Sequence, residues 1–433
     1  MGIKFTGAFR RLTSFKNLNV VPPQSQPANL LYSFSAQTVE EPVTIVTADR
    51  FGVSIAFNAA GDNLLVGAPI NNSDAVQAGV VFSLTELAGT WSEDQSLVPA
   101  DVSAADNFGT SVAVNEAGTV FAAGSPNKIL RVDSTNYMSS GAVYIFNKAG
   151  GNWVEAYKIT LSAPVVGGPR LGSSLAISSD GLTVAAGAAG DDGDNSNAGA
   201  VYVFELQGGS YVQTARLANP LAAANDSMGQ DQGCMDFNAA GTLLAVGIPF
   251  TDNGGSATGS VVVFEKVGGN WALQTVVDKD DLPELGGTDT FGRQVRLSPD
   301  GNQMFVSSRQ DDDGAGNAGA VYVLERSGGN WNKVAKLTGS VADDAFGHGL
   351  DLSWDGFVLA VGIPGHDIPG TTAVGRVAIY TKRNGIWQFE SEILNETPAV
   401  SDNFGRGVTL DGDGSRLAVN TRLESTAEVY ETQ

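Results

Sequence analysis

The sequence predicts an all-β fold: a seven-bladed β-propeller with four antiparallel strands per blade, the last blade closed by an N-terminal strand. Three observations carry that expectation. One unit recurs seven times along the 433 residues, its openings 55 to 63 residues apart, the length of a four-stranded blade. The 54 glycines and a charged fraction of only 17% suit short strands and tight turns better than helices, and no long stretch keeps a 3.6-residue period. The seventh unit stops one strand short, and the N-terminal region holds a strand-like run to replace it.

Each unit opens on a large apolar residue followed by glycine: Phe51-Gly52, Phe108-Gly109, Leu171-Gly172, Met228-Gly229, Phe291-Gly292, Phe346-Gly347 and Phe404-Gly405. In the second unit, four runs then alternate as strands should: 108–115, 119–126, 141–146 and 153–160. The turn between the first two runs reads NAAG, NEAG, SSDG, NAAG, SPDG, SWDG or DGDG, with glycine where a tight hairpin needs a positive φ. The fourth run opens on Trp91, Trp153, Tyr211, Trp271, Trp331 or Trp387, rings of a size to wedge between neighbouring blades.

The seventh unit has only three runs, 404–410, 416–421 and 427–431. Aligning Phe51 with Phe108 places Phe34 on Trp91 and Pro42 on Pro99, so residues of about 31 to 40 are expected to pair as the missing outer strand. Without it the ring would leave unpaired edges. The domain division is therefore 30–433 for the propeller and 1–29 for an extended arm. That arm carries Phe5, Phe9, Arg10, Arg11, Phe15 and Lys16, too many aromatics for an ordinary solvated tail, and reads as a docking segment. Four basic residues and no acidic one precede Glu40, in a chain of net charge −22.

The second run of the unit ends in Gly67-Ala68-Pro69, Gly124-Ser125-Pro126, Gly187-Ala188-Ala189, Gly247-Ile248-Pro249 or Gly362-Ile363-Pro364. Together with the opening Phe-Gly, this resembles the FG-GAP repeats of integrin α-chain propellers over roughly residues 30 to 433; Ser307-Ser308-Arg309 and Val419-Asn420-Thr421 depart from it. The resemblance implies the fold and, in many repeats, a calcium loop Asp-x-Asp-x-Asp-Gly-x-x-Asp between the first two strands. Here that loop has shrunk to the turns above, with Asp411-Gly412-Asp413-Gly414 the nearest remnant. That is too few oxygens to surround the ion, so the family's calcium sites read as lost. A propeller by itself leaves function open.

Three groups of residues are candidates for chemistry. Asp191, Asp192 and Asp194, beside Asn195, and Asp311, Asp312 and Asp313 occupy the loops between second and third strands of blades three and five. Either they bind a ligand, with calcium the one cofactor to consider at Asp191, Asp192 and Asp194, or they are solvated turns. Asp49, Asp106, Asp226, Asp289, Asp344 and Asp402 stand two residues before the Phe-Gly step, with Pro169 in the odd blade. Each is expected to accept N–H bonds in its own turn; the alternative is a carboxylate ring drawing cations or a basic partner to a strongly negative face. Trp354, at the tip of Ser353-Trp354-Asp355-Gly356, falls outside the tryptophan series and is expected to be an exposed contact residue. The two histidines, His348 and His366, both lie in blade six, where a pair could hold a metal or move protons. No nucleophile elbow, P-loop, zinc-ligand cluster or nucleotide fingerprint accompanies them, so no enzymatic activity is expected.

The acidic body repels nucleic acid and anionic membranes. No window approaches the roughly 18 apolar residues of a membrane span. Cys234 is the single cysteine, which excludes an intrachain disulfide, and no secretory-signal pattern is present, pointing to synthesis in a cytoplasm. These features predict a non-enzymatic structural or binding protein. The expected setting is a bacteriophage virion (decoration, neck or tail fibre), held to protein partners through the arm and displaying the propeller to a host-surface glycan or protein. The alternatives are a secreted or cell-surface bacterial adhesin, and a propeller-fold lyase or glycosidase with Asp106 and Asp402 converging in the channel.

Overall fold

A computed structural model describes residues 34–39 and 49–432, apart from 73, 88–89, 133–134, 163–166, 253–255, 396–397 and 422–426. The arm residues Phe5, Phe9, Arg10, Arg11, Phe15 and Lys16 lie outside the described residues. Seven blades form a ring, and among the described residues there is no α-helix. Each blade runs from an inner strand a to an outer strand d. In blade 1 these are Ser54–Phe57, Asn63–Ala68, Val80–Leu87 and Thr90–Leu97, each antiparallel to the one before. The predicted a–b turn glycines all have positive φ, Gly118 at 63° and Gly414 at 74° among them.

The last blade closes as the repeat alignment requires. Phe34–Val39 pairs antiparallel with Ala427–Thr432, from Phe34 opposite Thr432 to Gln37 opposite Val429. Its far end does something more: Thr38 and Val39 pair in parallel with Thr90 and Trp91 of blade 1, joining the first and last blades into one eight-stranded sheet. The seam where the chain's two ends meet thus gains backbone hydrogen bonds at its outer edge.

The repeated motif is explained by the seams between blades. A hypothetical Cβ on Gly67 would lie 2.1 Å from the carbonyl oxygen of Gly109 in the next blade, and one on Gly247 would lie 1.7 Å from that of Gly292. Only glycine lets the two backbones meet so closely. In blades 1 to 3 that same carbonyl also accepts a bond from a serine of the preceding blade: Ser54 Oγ to Gly109 O at 2.9 Å, Ser111 to Gly172 at 2.8 Å and Ser174 to Gly229 at 2.7 Å. Each seam encloses its own apolar cluster drawn from two adjacent blades. Phe108, Tyr144 and Trp153 of blade 2, for example, pack with Leu65, Val81 and Leu97 of blade 1. The outer-strand rings do act as wedges: Trp91 and Trp153 are buried, and Trp387 of blade 6 meets Phe305 of blade 5 edge-on at 5.0 Å.

Candidate functional site

The regular carboxylates serve the fold. All six Asp side chains that precede Phe-Gly are buried. Asp106 accepts the Ser103 N–H at 2.7 Å, Asp226 that of Ala223 at 2.9 Å and Asp289 that of Gly286 at 2.7 Å, while Asp402 takes the Ala399 N–H. Asp49 accepts from the Asn71 amide at 2.6 Å, and Asp344 faces Arg376 and His366, each at 3.6 Å. Asp106 also pairs with Lys128 at 2.7 Å. Asp106, Asp226, Asp289 and Asp402 hold their own turns, while Asp49 and Asp344 bind side chains of neighbouring segments. Neither Asp106 nor Asp402 lines the axial cavity.

The two loop sets share one internal design. Asp191 is buried and receives the Arg216 guanidinium at 2.6 Å, the Tyr202 hydroxyl at 2.6 Å and the Gly193 N–H at 2.8 Å. Burial alone would raise its carboxyl, but the bonds from Arg216 and Tyr202 hold it below the ordinary range. Asp194 shares the same guanidinium at 2.8 Å, and Asp192 accepts the Asn197 N–H at 2.6 Å. In blade 5, Asp311 receives Lys336 at 2.7 Å and the Tyr322 hydroxyl at 2.8 Å, Asp313 receives the same lysine at 2.5 Å, and Asp312 accepts the Asn317 N–H at 2.6 Å. The oxygens that a cation would need are turned onto protein cations and N–H groups. Among the described residues no set of three or more acidic, histidine or cysteine side chains is placed to hold a metal ion.

Trp354 and the two histidines take separate places in the fold. Trp354 is half-buried and stands at the rim of the axial cavity instead of projecting from a turn tip. His366 lies beside Asp344 in its loop, whereas His348, just after the Phe-Gly step, contacts Arg309 and the Arg406 carbonyl, so the two engage separate partners. They do not form a pair.

The axis itself is where the repeats diverge. A cavity of about 220 Å³ runs along it, lined by the inner strands of all seven blades. The central inner-strand residue is Ala56, Ala113 or Ala176 in blades 1 to 3, but Asp236, Arg296, Asp351 and Thr409 in blades 4 to 7. These four tie neighbouring blades together. Asp236 accepts the Leu297 N–H at 2.9 Å, Arg296 pairs with Asp351 at 2.7 Å, Asp351 accepts the Leu410 N–H at 2.8 Å, and Thr409 accepts the Phe57 N–H at 3.2 Å. Burial in the narrow channel pushes the Asp236 carboxyl up to about 6, against the opposing pull of Arg296 and the Leu297 N–H.

Blade 4 adds a plug. Its inner segment is three residues longer than that of blade 1 between the opening glycine and the a–b turn. The extra loop crosses the axis: the Gln232 side chain donates to Val112 O of blade 2 at 3.0 Å, while its own carbonyl accepts from Gln294 at 2.8 Å. Arg296 reaches Gly233 O at 3.1 Å. The sequence signal for this site was a charged residue in a column of alanines and an inserted loop before it.

Comparison with known proteins agrees with this architecture. The family model described as FG-GAP repeat matches residues 91–146 and 153–204. No curated protein sequence matches the chain. Among solved structures, hydrazine synthase of Kuenenia stuttgartiensis superposes with a TM-score of 0.57 at 14% identity, over 88% of this chain and 95% of that one. A putative 6-phosphogluconolactonase from Bacteroides uniformis gives 0.56 at 16%, over 86% and 92%. At such identities the likeness is one of fold alone.

Proposed function

We propose that this seven-bladed β-propeller of FG-GAP repeats is a structural and binding protein, a rigid ring mounted on a larger assembly through its basic N-terminal segment. The observation that supports this most is the closure. The chain enters the ring at Phe34, in the outer strand of the last blade, and that strand is bonded on both sides, to Ala427–Thr432 and to Thr90–Trp91. The described chain thus enters the ring at its outer edge, which is where the proposed mounting would attach. The charge division supports the same reading, since the longest stretch without acidic residues is the one ahead of Glu40. The assembly we propose is a bacteriophage particle, with a host-surface protein or glycan as the displayed partner; a bacterial cell envelope is the alternative setting. Deleting residues 1–29 tests the mounting: the shortened protein should fold with an unchanged melting temperature yet fail to incorporate into particles. Undiminished incorporation would sink the idea, and immunogold label on envelopes in place of particles would move the proposal to an adhesin.

A second reading rests on the channel. Asp236, its carboxyl raised to about 6 by burial, shares a cavity wall with Arg296 and Asp351, the kind of grouping a propeller lyase or glycosidase would use. Incubation with a panel of acidic and neutral polysaccharides, followed by assay for new reducing ends, decides it. Turnover that disappears in Asp236→Asn would favour the enzyme; no turnover would leave the binding role.

A further inference from the structure

The axial cavity has a floor at one end and an aromatic rim at the other. Gln232 and Gly233 of the blade 4 loop stand across the first end, where Gly233 O is fixed by the Val295 N–H at 2.9 Å and Arg296 Nη1 at 3.1 Å. At the second end the lining passes to residues of the a–b turns, Glu116, Ser179, Ala239, Pro299 and Trp354. Between them the walls differ. Ala56, Ala113 and Ala176 make one side small and apolar, and Asp236, Arg296 and Asp351 make the other polar. We infer that this cavity binds the terminal, uncharged monosaccharide unit of a glycan, held by Trp354, Arg296 and Asp236. The inference rests on the reading of the ring as a binding protein and names the class of its ligand.

Three side chains of the lining keep hydrogen-bonding capacity that the fold leaves unused. Arg296 donates from Nε to Asp351 at 2.7 Å and from Nη1 to the carbonyls of Gly233 and Val295, while Nη2 meets no acceptor among the described residues. Asp236 accepts main-chain N–H groups only, that of Leu297 at 2.9 Å, and among the described residues no side chain donates to it. Of the six tryptophans, Trp354 alone keeps an open indole N–H. Those of Trp271 and Trp331 donate to Glu205 and Gln274, and those of Trp91, Trp153 and Trp387 are buried. Burial pushes the Asp236 carboxyl up, a cost that a hydroxyl donating to it would offset.

A sugar matches this set. Each of its hydroxyls both donates and accepts, so neighbouring hydroxyls meet the Asp236 carboxylate and the Arg296 guanidinium together. Its C–H face suits the alanine wall and the indole at the rim. A wholly apolar ligand would strip water from Arg296 and Asp236 and return no bond. Charge is disfavoured in either sign. Asp236 and Asp351 outnumber Arg296 on the polar wall, and Glu116 stands at the rim of a chain of net charge −22, which repels an anion. The guanidinium Nη2 opposes a cation. About 220 Å³ is many times the space of one water, and the floor bars a chain from threading through, so the unit held is the end of one.

The test is calorimetric titration of the full chain with the methyl glycosides of glucose, galactose, mannose and N-acetylglucosamine, and with that of glucuronic acid as the charged control. The repeat provides gentle substitutions: Asp236→Ala copies blades 1 to 3, and Trp354→Ala copies blades 1 and 4, which have Ala59 and Ala239 there. Saturable binding of at least one neutral glycoside is expected, weakened about tenfold or more by each substitution, with the glucuronide weaker still than glucoside. A disaccharide carrying the bound sugar at its free, non-reducing end should bind, and one carrying it only at the reducing end should not. Equal affinity in wild type and both variants overturns this site while leaving the ring a glycan binder. No saturable heat with any neutral glycoside, or tighter binding of the glucuronide, overturns the ligand class. Neither result touches the mounting, which incorporation of the shortened chain decides. Should a variant fail to fold, the indole ¹H–¹⁵N resonances of the wild type give an independent readout: that of Trp354 must shift at saturating sugar more than the other five.

Discussion

Blades 1 to 3 and blades 4 to 7 are built on one plan and use it differently. The first arc is regular: alanine at the axis, glycine at each seam, and a serine donating to the next blade's glycine carbonyl. In the second arc each of those positions changes somewhere. Cys234 follows the inserted loop and meets Ser174 at 3.6 Å, Ser307 stands at the seam of blade 5, and Asn420 stands at that of blade 7, with its amide on Gly52 O. The axis there carries Asp236, Arg296 and Asp351, and Arg309 of blade 5 meets His348 of blade 6. What recurs in all seven repeats maintains ring geometry, and what changes places charged groups on the axis.

The comparison can be broken at the seams first. Gly124→Ala should be the most damaging change, because its Cβ would sit 2.1 Å from Gly172 O and 2.3 Å from Ser111 Oγ. A loss of about 4 kcal/mol or more is expected in denaturant unfolding, whereas Ser307→Gly in the divergent arc should change stability by less than about 1 kcal/mol. On the axis, Asp351→Asn removes the partner of Arg296 and should cost about 2–3 kcal/mol, more than a change at any exposed carboxylate.

Asp236→Asn sharpens the contrast through pH. A folded carboxyl raised to about 6 binds its proton more tightly than the unfolded one at 3.8, so its ionisation in the fold weakens stability as pH rises from about 4 to 6. The variant should match wild type near pH 4 and exceed it by about 1–3 kcal/mol at pH 8, read as the difference between two stability–pH curves. The smallest effect concerns the loops. With Asp191 held by Arg216 and Asp311 by Lys336, melting temperature should differ by less than about 1 °C between millimolar calcium and chelator.

The seven-fold plan was legible because a propeller repeats its constraints. The Phe-Gly opening, the glycine-ended turn and the ring leading the outer strand each answer a local need, so they recur in phase. Even the closing strand followed from aligning Phe34 with Trp91, although its parallel bridge to Thr90 and Trp91 did not. Loop carboxylates were harder to interpret, since the cation that neutralises Asp191 comes from an outer strand 25 residues later. The axial site was visible in principle, as charged residues in a column that is alanine in blades 1 to 3. Attention to what the repeats share hides such positions. The contact of Arg309 with His348 needed the fold, because only the ring brings the end of one blade's second strand beside the next blade's inner strand.

The central claim, on which the rim mounting and the rigidity of both arcs depend, is that residues 34–39 complete the last blade. Cysteine cross-linking in a Cys234→Ser background tests it most directly, since serine is what blades 1 to 3 carry at that position. Ser35 lies opposite Glu431, so Ser35→Cys with Glu431→Cys should form a disulfide under mild oxidation and raise the melting temperature, whereas the one-residue slip, Ser35→Cys with Thr432→Cys, should link poorly. Free thiols in the first pair, or equal linking in both, would contradict the closure.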